Sequence, residues 1–270
     1  MATTRHSERT VARDRWKAGA AVALCLALFP RAAAAQIVNV QPLVAAEDRD
    51  GPSGAIEGSL DWRSGNTELA QGTASLLLRY RSGRHLAFVL GKVEYAENAD
   101  DVFIDKDLEH IRYRVTVLPP LEAEVFAQHD RDEFRRLSLR MITGAGPRFH
   151  FLRWEPLDAA VGVAYMLEHE RLAESDTADS GQSITDHRLS TYGTLALDLT
   201  DRVTLSHTLY FQPRIDDWTD VRVLSETELM LGVVKHLAVK VSLTLTVDSA
   251  PPELVKEADA VRKLSLQLSY

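Results

Sequence analysis

LAVKVSLTLTVD, residues 237–248, alternates without a break. Leu237, Val239, Val241, Leu243, Leu245 and Val247 fall on one side, and Lys240, Ser242, Thr244 and Thr246 on the other. A period of two places successive side chains on opposite faces of a strand, and the length matches the ~9–11 residues with which a tilted strand crosses a bilayer. The last ten residues repeat the pattern: in VRKLSLQLSY (261–270), Leu264, Leu266, Leu268 and Tyr270 alternate with Lys263, Ser265, Gln267 and Ser269. Domains usually end in a frayed polar tail, so a chain ending on an aromatic of an apolar strand face reads as a closing strand.

Working back, the same signature recurs. AIEGSLDWR (55–63) sets Ile56, Leu60 and Trp62 against Glu57, Asp61 and Arg63; LEHIRYRVTVL (108–118) sets Ile111, Tyr113, Val115 and Val117 against His110, Arg112, Arg114 and Thr116. The pattern predicts about twelve strands, near 54–63, 68–80, 85–96, 107–118, 121–130, 134–149, 157–170, 186–199, 203–213, 221–234, 237–248 and 261–270. Even-numbered links are short (SGR, Pro119-Pro120, RWEP, TDR, Lys235-His236), while odd-numbered ones are longer and acidic, such as ENADDVFIDKD and RLAESDTADSGQSIT. Alternating short turns and long loops are the layout of an all-β, antiparallel up-and-down transmembrane barrel. Aromatics support it: Trp62, Tyr95, Tyr165 and Phe211 lie at long-loop ends, and Tyr80, Phe149 and Tyr270 at short-turn ends, as two interfacial belts would.

The N-terminus adds an address. Arg5, Arg9, Arg13, Arg15 and Lys17 precede the apolar run AGAAVALCLALF and then RAAAAQ, the layout of a secretory signal peptide. Residues 1–35 are read as that signal, exported by the Sec route and cleaved after Ala35, residues 36–53 as a periplasmic N-terminal segment, and 54–270 as a barrel of the bacterial outer membrane. Cys25, the single cysteine, falls inside the apolar run, so no disulfide framework is expected. Six Lys/Arg and two Asp/Glu fall in the first 35 residues of a chain of net charge -8, which leaves about -12 for the rest, an argument against nucleic-acid binding.

If the apolar faces meet lipid, the polar faces line a lumen. The expected lining includes Glu57, Asp61, Arg63, Arg112, Arg114, Glu122, Glu124, Arg140, Glu226 and Glu228. Charges of both signs on neighbouring strands set the selectivity of a pore or pair into a rigid, filled interior; long Arg and Glu side chains in a lumen of about twelve strands favour the filled interior. Catalytic patterns are weak. Ser206 and His207 are adjacent and so point to opposite faces. EHE (168–170) and HDRDE (129–133) lack zinc spacing and read as solvated strand ends. The acids Asp100, Asp101, Asp216 and Asp217 read as solvated loop residues. GAGPRF (144–149) sits within a strand, where glycines mark a bend or close approach. No catalytic residue, metal or cofactor is expected.

EGSLDWRSGNTE (57–68), FIDKDLEHIRYR (103–114) and EVFAQHDRDEFRRLSLRMITGAGPRF (124–149) resemble the salt-induced outer membrane protein family, whose domain has no defined function. The resemblance implies an outer-membrane barrel and supplies no catalytic residues. The function expected is a cell-envelope barrel, structural or a narrow passive channel, non-enzymatic; the alternatives are a barrel-embedded lipid-modifying enzyme and a soluble periplasmic barrel binding a small ligand. Expected partners are outer-membrane lipid, lipopolysaccharide and the outer-membrane assembly machinery, with Leu264, Leu266, Leu268 and Tyr270 as the assembly signal.

Overall fold

The structure, a computed structural model, describes residues 37, 39, 50–63, 69–98 and 101–270; of Trp62, Arg63, Asp101 and Phe103 it describes the backbone alone. The expected signal peptide, Trp62 as a belt residue, Arg63 as a lining residue, and the side chains of Asp100 and Asp101 therefore lie outside the described residues.

The described strands are β1 (Gly51–Arg63), β2 (Leu69–Ser82), β3 (His85–Asn98), β4 (Asp101–Leu118), β5 (Leu121–Asp132), β6 (Leu137–Trp154), β7 (Leu157–Leu172), β8 (Ser183–Thr200), β9 (Val203–Pro213), β10 (Val221–Val234), β11 (Leu237–Asp248) and β12 (Ala258–Ser269). Each pairs antiparallel with its sequence neighbours, and β12 pairs back to β1 to close the ring. Closure leaves no sheet edge at the ends of the meander, which is what a strand structure in lipid requires.

Two expectations are corrected. The strands run longer than a minimal bilayer span: β4, β6 and β8 have 18 residues each. The acidic link ENADDVFIDKD is mostly ladder, because Tyr95 pairs with Asp105 and Asn98 with Asp101; strand polarity changes there while backbone pairing continues, carrying this hairpin beyond the apolar band. Likewise β1 begins at Gly51, three residues ahead of the expected start.

The faces divide as the alternation requires. Ile56, Leu76, Leu78, Val93, Ile111, Val163, Val241, Leu264, Leu266 and Leu268 are exposed on the outside, while Arg79, Arg112, Arg114, Glu124, Arg140, Glu168, Arg188 and Arg222 are buried inside. A water-soluble barrel carries the opposite distribution, since exposed apolar surface of this extent costs free energy in water and charge is rarely buried unless paired. Apolar outside and polar inside is the arrangement of a transmembrane barrel. Tyr80, Phe149, Trp154 and Tyr270 lie outside at the short-turn end, and Tyr95, Phe134, Tyr165, Phe211 and Trp218 toward the long-loop end.

The Gly-rich stretch of β6 is a place of close approach. A Cβ on Gly146 would lie 2.0 Å from the Val163 carbonyl oxygen of β7, and at Gly144 it would meet the Phe126 ring at 2.4 Å. Next to them Pro147 has no N–H to give to a ladder. Gly144 lets the Phe126 ring lie across β6 on the lumen face.

Candidate functional site

The lumen is crossed by side chains at three heights. Nearest the long loops, Glu168 of β7 accepts hydrogen bonds from Arg140 Nε (2.6 Å), Arg188 Nε (2.6 Å) and Arg222 Nη1 (2.5 Å). Arg222 belongs to β10, so this contact reaches through the lumen past two intervening strands, β8 and β9. The same guanidinium donates to both oxygens of Glu170 at 2.8 and 3.0 Å and to Asp248 at 3.1 Å, and Arg188 reaches Asp220 at 2.9 Å. Glu168 and Arg188 are each 1% exposed. Charges so enclosed persist only when paired and hydrogen-bonded, and these meet that condition with planar, fork-like guanidinium contacts.

At mid-height, Glu124 of β5 binds Arg112 Nη1 (3.1 Å) and Arg114 Nε (3.0 Å) through one oxygen, and its other oxygen accepts from the Tyr192 hydroxyl of β8 at 2.9 Å. Arg112 lies over the Phe126 ring, 4.6 Å from its centroid, a cation–π contact. His110 stacks between Phe88 and Phe126. Tyr192 lies across Gly162, where a Cβ would stand 2.3 Å from its ring. Onto Tyr192, Tyr210 and Leu224 packs Ile37 from the N-terminal segment, and Asn39 Nδ2 donates to Glu226 at 2.9 Å. These two residues of the segment expected in the periplasm therefore lie inside the barrel.

A third group joins Lys240 of β11 to Glu57 of β1 and to Glu228 of β10 at 3.1 Å, with Ser265 donating to Glu57 at 2.9 Å. Below it, toward the short turns, Arg148 binds Glu122 at 2.9 Å beside His150. A cavity of about 460 Å³ opens there, lined by Arg114, Arg148, His150, Asp158, Thr194 and Lys240 among others. On the long-loop side a small cavity of about 20 Å³ lies beside Lys92, Asp130 and Arg135, roughly one water molecule's worth.

The expected lining residues thus face inward wherever their side chains are described: Glu57, Asp61, Arg112, Arg114, Glu122, Glu124, Arg140, Glu226 and Glu228. Arg140 joins the upper group, Arg112, Arg114 and Glu124 the middle one, and Glu57 and Glu228 the lower. Glu168 is a correction to the reading of EHE as a solvated strand end: with Asp248 it is one of the two most enclosed carboxylates of the upper group, because β7 continues to Leu172. Arg222, Asp248, Tyr192 and Ile37 carry no sequence signal of their own. Ser206 faces in, and His207 faces out against Thr227 at 3.0 Å, so the pair does not form a catalytic couple.

Over the long-loop end, three connections meet at Asp179. It accepts from the Thr177 hydroxyl (2.6 Å), from Arg136 Nη1 (2.7 Å) and from the Glu253 backbone N–H (2.9 Å), tying the β5–β6, β7–β8 and β11–β12 links. The Thr177 hydrogen bond, followed by those from Glu253 and Arg136, holds the Asp179 carboxyl down to about 2 against its burial. A depressed carboxyl contributes stability that is complete above its unfolded value, about 3.9, and is lost as pH falls through the folded value. Asp179→Asn is therefore expected to free these links at neutral pH, read as faster limited proteolysis within residues 173–182 and 249–257, while wild-type protection holds down to about pH 4. Equal cleavage of both proteins at neutral pH would refute the tie. Asp216 and Asp217 are engaged within their own link by Arg214, at 2.8 and 3.3 Å.

A family model described as "Protein of unknown function, DUF481" matches residues 56–270. The chain belongs to that DUF481 family. No curated protein matches it. Among solved structures it is similar to a KdgM porin in complex with disordered oligogalacturonate (10% identity, TM-score 0.45, 81% of this chain and 99% of that one). It is also similar to a NanC porin (9%, 0.46, 80% and 97%) and to the translocator domain of autotransporter NalP from Neisseria meningitidis (13%, 0.47, 100% and 99%).

Proposed function

We propose that this DUF481 barrel is a bacterial outer-membrane protein whose lumen is closed at rest by its own side chains: a structural envelope component, at most a narrow passive channel, and not an enzyme. The observation that carries this reading is the set of contacts between non-adjacent strands, Tyr192 to Glu124 and Arg222 to Glu168 and Glu170. An open pore keeps its charged rows apart across water; here side chains meet across the lumen from strands three apart in the ring. Outer-membrane lipid and lipopolysaccharide would contact the apolar band. The assembly machinery would read the closing strand, after Sec export and cleavage behind Ala35.

Planar bilayers test the closed lumen. Wild-type protein is expected to insert without discrete conductance steps. The double variant Glu124→Ala/Tyr192→Ala removes the middle contact and gives up Ile37's seat, and it is expected to show steps. Frequent, open-porin steps from the wild type would overturn the closed reading, and hydrolysis of lipid by pure protein would replace it with the enzymatic one.

A further inference from the structure

The antiparallel ladder brings together three ligand-bearing side chains that sequence spacing keeps apart. Glu109 of β4 stands directly opposite His129 of β5, and Asp107 lies two residues along on the same outward face. His129 Nδ1 is 2.7 Å from Glu109 Oε2 and 3.9 Å from Asp107 Oδ1, and one donor atom from each residue lies within 4.8 Å of the others. A zinc-sized ion about 2.0–2.2 Å from each donor needs only small rotamer adjustments from that spacing.

Local charge favours a cation there. The basic residue opposite Asp107 is Arg131, and its guanidinium is committed to Asp105 at 2.9 Å and to Glu133. Two carboxylates and an imidazole are left facing one another. All three side chains are accessible from outside: Asp107 and His129 are half-buried, while Glu109 is exposed. They stand where the apolar band ends, because the next outward residues along the two strands are Ile111 and Tyr113 on β4 and Ala127 and Val125 on β5. HDRDE read alone lacks a metal spacing; the missing carboxylates come from the neighbouring strand.

We infer that Asp107, Glu109 and His129 form a divalent transition-metal site of the zinc class on the outer wall of the barrel. A mixed nitrogen and oxygen donor set suits Zn²⁺ over Mg²⁺ and Ca²⁺, which take all-oxygen shells. Three protein ligands leave a fourth position open to the outside for water or an anionic oxygen. The site is independent of whether the lumen conducts.

Zn²⁺ itself, titrated calorimetrically into the full-length barrel purified in uncharged detergent, is the test, with Co²⁺ absorption as a spectroscopic report of the donor set. One saturable equivalent is expected, retained in excess Mg²⁺, and weakened by more than about tenfold in His129→Gln and in Asp107→Asn. The side chains lie outside the packed interior, so both variants are expected to keep wild-type heat-modifiable migration; His169→Gln, on another patch, should bind as wild type. Absence of saturable Zn²⁺ binding by the wild type, or unchanged binding in His129→Gln, would overturn the assignment.

Discussion

Replacing Arg222 with methionine is expected to destabilise the barrel by about 3–5 kcal/mol, the cost of leaving the buried Asp248 carboxylate without its paired cation and of withdrawing one of the cations that Glu168 and Glu170 share. Arg222 serves Glu168, Glu170 and Asp248 at once, and methionine restores its bulk but none of its five donors. Glu168→Gln should cost much less, about 1–2 kcal/mol, although Glu168 is the more deeply enclosed residue. The difference follows from what each change leaves behind. Without the Glu168 charge, Arg140 still has Glu170 at 3.2 Å, Arg188 still has Asp220 at 2.9 Å, and Arg222 still has Glu170. In this group acids outnumber arginines, so the loss of a cation is the harder loss to absorb. Urea unfolding in detergent, followed by tryptophan fluorescence, measures both; equal costs, or a neutral Arg222→Met, would refute this account of the interior.

Why the barrel was legible in the sequence and the upper charge group was not has one physical origin. Lipid outside and polar atoms inside impose strict alternation on every strand, so Leu264, Leu266 and Leu268 could be assigned outward and Arg112 and Arg114 inward from parity alone. Parity says nothing of height. Whether Arg222 on β10 meets Glu168 on β7 or passes above it depends on strand tilt and stagger, properties of the closed ring and not of either segment. Inward apolar residues were hidden for a related reason: Phe88, Phe126, Tyr192 and Leu224 sit on the polar faces, where they fill space between charges. Strand ends blurred as well. The acids of ENADDVFIDKD mark where the apolar band stops, while the Asn98–Asp101 pairing carries the hairpin past it. The zinc-class site falls in the same gap, since its ligands belong to two strands and meet only through register.

The closing strand carries the larger expected effect. β12 pairs with β11 along nearly its whole length, from Val247 opposite Ala258 to Leu237 opposite Leu268, yet with β1 only over Ala55–Gly58 against Leu266–Ser269. Tyr270 extends this short seam by a reciprocal pair of backbone hydrogen bonds with Gly54, at 3.0 and 3.2 Å, and its ring lies against Gly54, where a Cβ would come within 2.6 Å of the hydroxyl. Deleting residues 266–270 removes the whole β1–β12 ladder and leaves two strand edges facing lipid, where each unpaired backbone group costs several kcal/mol. No assembled barrel is expected: the truncated chain should lose heat-modifiable migration and should not appear in the outer-membrane fraction. Tyr270→Ala separates seam from signal, because it keeps every backbone hydrogen bond and removes only the ring. Refolding in detergent should then proceed as for wild type while assembled yield in cells falls. Wild-type assembly of the truncated chain would contradict the seam, and unimpaired yield of Tyr270→Ala in cells would contradict the terminal aromatic as an assembly signal.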